Sequence, residues 1–224
     1  MATRADRYAA LRTRLIDASE RTIAERGLAA LKARDLAAEA GCAIGTIYNV
    51  FEHLDELVLA VGSRTLAMLD AALEAVRSRG PYGSTEEAIA DLVRLALAYL
   101  EFAARHRVRW RALFEHRIIG AHSLPDGYVE QQRALFSQVE GPLVTLLPGL
   151  DDERRRVLAR TLFSAVHGVV ALGLEEKLVS LPLSDLRQQV VAIVRAIATG
   201  RNELPYDASV SVPLSSNQRS LSSN

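Results

Sequence analysis

Two groups of side chains in this 224-residue chain carry usable chemistry. The first lies in residues 27–57, GLAALKARDLAAEAGCAIGTIYNVFEHLDEL. Asn49 is able to pair with adenine, Arg34 can reach a base or a phosphate, and Lys32 can reach a phosphate. Gly45 and Thr46 give their segment a slim leading face, narrow enough to approach a major groove closely. The second group is Tyr99, Phe102, Trp110, Phe114 and Phe136, joined by Phe163 and His167. Phe163 and His167 are four residues apart and so share one helical face. One aromatic and one polar group make a pocket wall suited to a small molecule. Together the rings point to an apolar cavity and to an apolar or aromatic ligand. Two readings stay open here: each ring can be plain core, and His167 can be a hydrogen-bonded core histidine.

Other chemistries find no support. There is no GxSxG, no phosphate-binding glycine loop and no HExxH, so the chain is not expected to be an enzyme. The acid pairs Glu86-Glu87 and Asp151-Asp152 stand at expected helix starts, where they complement the helix dipole. The five histidines (His53, His106, His116, His122 and His167) show no HxxxH or Cys/His spacing, so no metal site and no cofactor are expected. Cys42 is the one cysteine, so no intrachain disulfide can form; it reads as a small filler in a turn.

The elements that must position these groups are helical. Leu, Ala, Arg and Glu are abundant and aromatics make up only 5%, a composition of good helix formers. Apolar residues at three- and four-residue steps predict helices over 8–26, 33–40, 44–51 and 54–78. Gly27 and Gly41 end the first two, as glycine does at a helix C-terminus. Residues 79–83 break the fourth, and Ser84 with Glu87 forms a capping box for a helix reaching about residue 105. Further helices are expected over 106–116, then, after a loop at 120–127, over 128–147, where Gly141-Pro142 should kink or interrupt the helix. Asp151 or Asp152 caps a helix running to 174, and the last covers 183–199. The fold class is therefore all-α: a three-helix helix-turn-helix domain over 1–52, then a six-helix ligand-binding and dimerisation bundle over 53–200. Residues 207–224 hold seven serines, and 201–224 is read as a disordered tail.

Net charge is zero, so any nucleic-acid contact must be local. Residues 1–50 carry eight Lys/Arg against six Asp/Glu, a net of +2. The first 14 residues are charged throughout and lack a signal-peptide apolar stretch. No uninterrupted apolar run reaches the roughly 18–20 residues that span a bilayer. No membrane partner and a cytoplasmic location are expected.

Two short helices joined by Gly41-Cys42-Ala43 form a helix-turn-helix pattern, and its residues resemble the DNA-binding domain of the tetracycline-repressor (TetR) family. Gly27, Leu36-Ala37, Ala40-Gly41, Gly45, Thr46, Tyr48, Phe51 and Leu57 stand at the family's positions. The resemblance implies that Tyr48 hydrogen-bonds a phosphate and that Thr46 and Asn49 face base edges. Lys32, Arg34, Ala43 and Gly45 complete the expected DNA surface, and Arg4 and Arg7 are phosphate or minor-groove candidates. The chain departs from the pattern where Lys32 replaces a capping threonine, Cys42-Ala43 replaces Val-Ser and Leu54 replaces a lysine. With Glu52 and Asp55 beside it, the start of the fourth helix should hold phosphate less well, although backbone amides there attract anions.

The resemblance extends to the bundle, where Phe163 to Gly168 is similar to a Trp-His-Gly signature of one TetR C-terminal subclass, with Phe163 as its aromatic. It implies a homodimer joined through the last two long helices, for which Leu158, Ala165, Val169, Val190 and Val194 are the candidate seam. Plain intramolecular packing of those residues is the other reading. The function implied is that of a transcriptional regulator, by family default a repressor, binding double-stranded DNA and released by a small-molecule effector. A dimeric DNA-binding module without a sensor, and a helical interaction protein without DNA function, remain as alternatives.

Overall fold

The computed structural model describes residues 3–116, 124–175 and 181–200. The expected tail at 201–224, the first half of the expected loop at 120–127 and His122 lie outside the described residues. The elements are α1 (Arg4–Arg26), a 3-10 turn (Leu28–Ala30), α2 (Ala33–Ala40), α3 (Ile44–Val50) and α4 (Leu54–Glu74). They continue with α5 (Thr85–Arg105), α6 (Arg107–Glu115), α7 (Asp126–Leu146), α8 (Asp152–Gly173) and α9 (Leu183–Thr199). No strand occurs among the described residues.

Local chemistry sets the helix ends. α1 begins four residues before the apolar repeat does. Thr3 Oγ1 accepts from the Asp6 amide at 3.1 Å and Asp6 Oδ2 accepts from the Thr3 amide at 2.8 Å. This reciprocal pair satisfies donors that would otherwise be orphaned, so Arg4 and Arg7 sit on a solvent-facing helical turn. Ser84 caps α5 as expected, accepting from the Glu87 amide, but the Glu87 carboxylate takes the Gly83 amide, one residue earlier than a standard box. α4 ends at Glu74, short of the expected Ser78. There the buried Asp91 of α5 accepts from the Ser78 amide at 2.7 Å and from the Tyr82 hydroxyl at 2.6 Å, drawing the chain into the connector. α7 starts at Asp126 and runs unbroken through the buried Pro142. The expected interruption does not occur; the helix forgoes the one hydrogen bond that proline cannot donate.

Two cores result. The N-terminal one gathers Leu15, Ile23, Leu36, Ile47 and Phe51, and takes in Leu57 and Val61 from α4 and Ala112 from α6. The larger one joins α5, α7, α8 and α9 around Leu92, Leu100, Val170 and Leu186. Leu158, Val190 and Val194 belong to it, at 3%, 0% and 1% exposure. They pack within their own chain, which corrects their place in the candidate seam. α9 turns its most apolar face onto α5 and α8, α8 turns its own onto α9 and α7, and a second face of α8 is left outward.

An ion cluster ties the two parts together. Arg64 of α4 donates to Asp17 and Glu20 of α1, both at 2.6 Å, and Arg109 of α6 pairs with the other oxygen of Glu20. At the far end of the bundle, α8 and α9 meet so closely that a Cβ on Gly173 would overlap the Leu186 side chain, which is fully buried. Gly173→Val should therefore lower stability by about 1–3 kcal/mol, the usual cost of overpacking, read as a reduced urea midpoint; an unchanged midpoint would refute that close contact.

Candidate nucleic-acid interface and internal cavity

The turn between α2 and α3 is built by Gly41, whose φ of +65° is costly for any residue with a Cβ. The Gly41 amide bonds the Ala38 carbonyl and the Cys42 amide reaches the Ala37 carbonyl at 2.9 Å. This pair of hydrogen bonds closes α2 as a Schellman motif, and Ala37 and Ala40 are buried where the two helices meet. α3 then turns Ile47 and Val50 inward, with Phe51 buried at its C-cap. Ala43, Gly45, Tyr48 and Asn49 are exposed and Thr46 is half-buried. Gly45, Tyr48 and Asn49 share one outward arc, since residues four apart stack on a helix.

Cations flank that arc. Lys32 and Arg34 are exposed and form no ion pair among the described residues. By contrast, Arg12 and Arg21 are occupied by Glu56 and Glu39. Lys32 is the N-cap of α2 and makes no side-chain cap bond, as a group without an acceptor must. The start of α4 presents acid: Asp55 and Glu56 lie in its first turn, and Glu56 Oε2 accepts from the Glu52 amide at 3.0 Å.

One contributor is absent from the sequence reading. Tyr8 of α1 donates its hydroxyl to the Asn49 carbonyl at 2.7 Å, holding α3 from outside the helix-turn-helix. The apolar repeat makes Tyr8 look like core, yet it is 45% exposed. Only the fold brings it across 41 residues to α3.

A cavity of about 230 Å³ opens among α4 to α8. Of the seven residues expected to line it, Tyr99, Phe114, Phe136 and Phe163 do. Tyr99 and Phe136 each meet Phe163 edge to face, at 5.5 and 5.3 Å between ring centres. Phe102 instead packs on His106 at 4.9 Å. Trp110 and His167 stand behind Tyr99. The Trp110 indole N–H donates to the Tyr99 hydroxyl at 2.9 Å, and that oxygen is 2.7 Å from His167 Nδ1. The Tyr99 oxygen and His167 Nδ1 share one proton between them, and the tautomer of the imidazole sets which of the two donates. Burial pushes the His167 pKa down and the Tyr99 pKa up, so both stay uncharged near neutrality. His167 thus follows the reading of a hydrogen-bonded histidine. The remaining wall is aliphatic apart from Tyr128 and Gln132, which no sequence spacing singled out.

On the outside of α8, the half-buried Ala165 and Val169 adjoin a line formed by Val157, Thr161, Ser164, Gly168 and Leu172. Val157 and Leu172 are 51% and 62% exposed. By length and composition α8 alone among the described helices is apolar enough to cross a bilayer; the expectation of no span rests on uninterrupted runs, which Arg156 and Arg160 break. No cluster of three or more His, Cys, Asp or Glu suited to a metal occurs among the described residues.

Residues 15–61 match the bacterial regulatory proteins of the tetR family, and residues 92–197 match the tetracyclin repressor-like C-terminal domain. No curated protein matches. Among solved structures, a protein of unknown function from Rhodococcus sp. RHA1 is similar with a TM-score of 0.63 and 23% identity, covering 83% of this chain and 94% of that one. A tetR-family transcriptional regulator from Streptomyces coelicolor gives 0.59 and 19%, covering 91% and 86%. A TetR-like transcriptional regulator from Rhodococcus sp. RHA1 gives 0.56 and 20%, covering 86% and 97%. At these identities the likeness is one of fold.

The lowered pKa of His167 has a consequence for stability. Its contribution is complete above the unfolded value of 6.5 and is lost as pH falls through the lower folded value. His167→Gln should therefore remove part of the stability lost on acidification below pH 6.5, measured by urea titration at stepped pH. Parallel pH profiles for the two proteins would overturn the assignment.

Proposed function

Because the chain belongs to the tetracycline-repressor family of transcriptional regulators, we propose that it is a cytoplasmic repressor that binds an operator as a homodimer and leaves it when a small apolar molecule enters the α4–α8 cavity. The observation that carries the DNA reading is the outward arc of α3 beside two cations, Lys32 and Arg34, that form no ion pair among the described residues. Gly45 lets the helix approach closely, Thr46 and Asn49 face base edges, and Tyr48, Lys32 and Arg34 take phosphates or, for Arg34, a base. A dimer sets two such helices in major grooves about 10 bp apart or at a longer interval.

The outward line on α8 supports the dimer. Exposed Val157 and Leu172 bracket the small Ser164 and Gly168, and small residues allow close approach of a second helix. With α9 beside it, two copies make a four-helix seam around these residues, flanked by Ala165 and Val169. This seam uses the faces opposite Leu158, Val190 and Val194.

The cavity supports the sensor. A bundle packed solid would favour a DNA-binding module that senses nothing. Here Leu66, Leu69 and Leu73 of α4 and Leu113 and Phe114 of α6 form part of the cavity wall, while α4 also supplies Leu57 and Val61 to the N-terminal core. A ligand that moves either helix shifts the reading heads. It needs to prefer the DNA-incompetent form by only a few kcal/mol to relieve repression.

Operator binding titrated with salt tests the reading. Selective binding that weakens steeply with salt is expected. Lys32→Ala should lower the slope of log K against log salt by about one, and Tyr48→Phe should weaken binding by roughly five- to tenfold, the worth of one phosphate hydrogen bond. Unchanged affinity in Tyr48→Phe would remove its phosphate role. Leu172→Arg should yield monomers in sedimentation, and a persisting dimer would place the seam elsewhere.

A further inference from the structure

A second cavity, of about 300 Å³, lies between α1, α4, α6 and α7. It shares Leu113, Tyr128 and Gln132 with the apolar cavity, so the two stand back to back across one thin wall. Their characters differ. Thr65, Arg109, His116, Tyr128 and Gln132 bring polar atoms to the second cavity, His116 Nε2 being buried 3.4 Å from Asp55 Oδ1 and without a hydrogen bond, and no carboxylate lines it among the described residues.

The dividing wall holds unspent donors. Tyr128 is only 7% exposed, and its hydroxyl makes no hydrogen bond among the described residues. That oxygen points at Gly62, where a Cβ would stand 3.2 Å from it, so the absence of a side chain there keeps the hydroxyl open to the second cavity. Gln132 likewise makes no hydrogen bond among the described residues. Both groups border the two cavities, so a molecule entering either can supply the partner that the chain does not, and the half-buried Gln132 can reach it without being taken out of a bond. Behind them, Arg109 pairs with Glu20 on one side and sets its other amino group against the Met68 sulfur, a weak acceptor. The polar half is thus richer in donors than in acceptors.

We propose that the two cavities form one bipartite effector site. The apolar body of the effector lies among Leu69, Leu95, Phe136 and Phe163. At one end it carries an oxygen acceptor, a carbonyl or a carboxylate, that crosses the wall to accept from Tyr128 and Gln132. This rests on the apolar cavity being the effector site, as proposed above, and adds that the effector is amphipathic. The acceptor also lies on the side of Arg109, whose partner Glu20 belongs to α1, so the head of the ligand adjoins the ion cluster that joins the bundle to the reading head.

Trp110 is the only tryptophan in the chain, and its indole is bonded to the cavity residue Tyr99, so its fluorescence reports occupancy. The full-length protein is titrated with ω-phenylalkanoates of four to eight carbons, their primary amides and the alkylbenzenes of the same length, with release of bound operator DNA followed in parallel. Acids or amides should bind about tenfold tighter than the matched alkylbenzene, as one or two hydrogen bonds to buried donors provide. Acids alone showing the advantage identify the head as a carboxylate, and both showing it identify any carbonyl. Tyr128→Phe with Gln132→Leu should abolish the advantage, so that acid, amide and alkylbenzene of one length bind this variant alike, because the hydrogen bonds that set them apart are removed. Equal affinity of the three series, or an advantage that survives the double substitution, overturns the bipartite site and leaves the apolar sensor standing. If no series alters fluorescence or releases DNA, the apolar cavity is not the effector site and the bipartite proposal falls with it.

Discussion

Glu20 accepts from two arginines on two different helices, and the placing of α1 against the bundle depends on that double pairing as well as on the shared apolar core. Its side chain is 21% exposed, and Arg109 is 13% exposed. A charge this enclosed needs its counter-ion, because solvation can no longer replace it. Without Glu20, Arg109 would face chiefly the Met68 sulfur, and Arg64 would retain only Asp17. The pairing therefore fixes α1 laterally against both α4 and α6. α1 in turn holds α3 through Tyr8 and the Asn49 carbonyl. Two sets of contacts lead from the apolar cavity toward the N-terminal helices: α4 lines the cavity and also enters the N-terminal core, and α6 lines it and meets α1 at Glu20.

What was legible in the sequence was legible because it is local. Glycines at 27 and 41, the alanines between them and the four-residue spacing of Ile47 and Phe51 describe a turn whose hydrogen bonds span five residues or fewer. A chain reading recovers such features directly. The start of α1 was missed although Thr3 and Asp6 spell a cap, since the apolar repeat begins only at Tyr8 and the first turn is exposed on all sides. The ion cluster and the Tyr8 bond join residues 41 to 89 positions apart, and no periodicity carries information over that range.

The bundle shows a different limit. α8 is apolar on two faces, one built from Leu158, Leu162, Val166 and Val170, the other from Val157, Gly168 and Leu172. Composition cannot say which faces its own chain, and the larger side chains proved to lie inside. The same ambiguity scattered the aromatics. Tyr99, Phe114, Phe136 and Phe163 reach the cavity, whereas Trp110 and His167 serve to hold Tyr99 in place and Phe102 turns to His106. Tyr128 and Gln132 carry no signal in the sequence, since a tyrosine and a glutamine four residues apart have no distinctive spacing; only the fold sets them, without a hydrogen-bond partner among the described residues, between the two cavities.

The outward arc of α3 is separate from everything that keeps the domain folded. Gly45, Tyr48 and Asn49 point away from the N-terminal core, and the one tether on that side grips the Asn49 backbone, not its side chain. Exchange at these positions leaves packing, turn and tether as they were. A lineage carrying this scaffold can therefore change the chemistry of that arc without having to solve its fold again, and duplicated copies can drift apart on their surface while keeping the same interior.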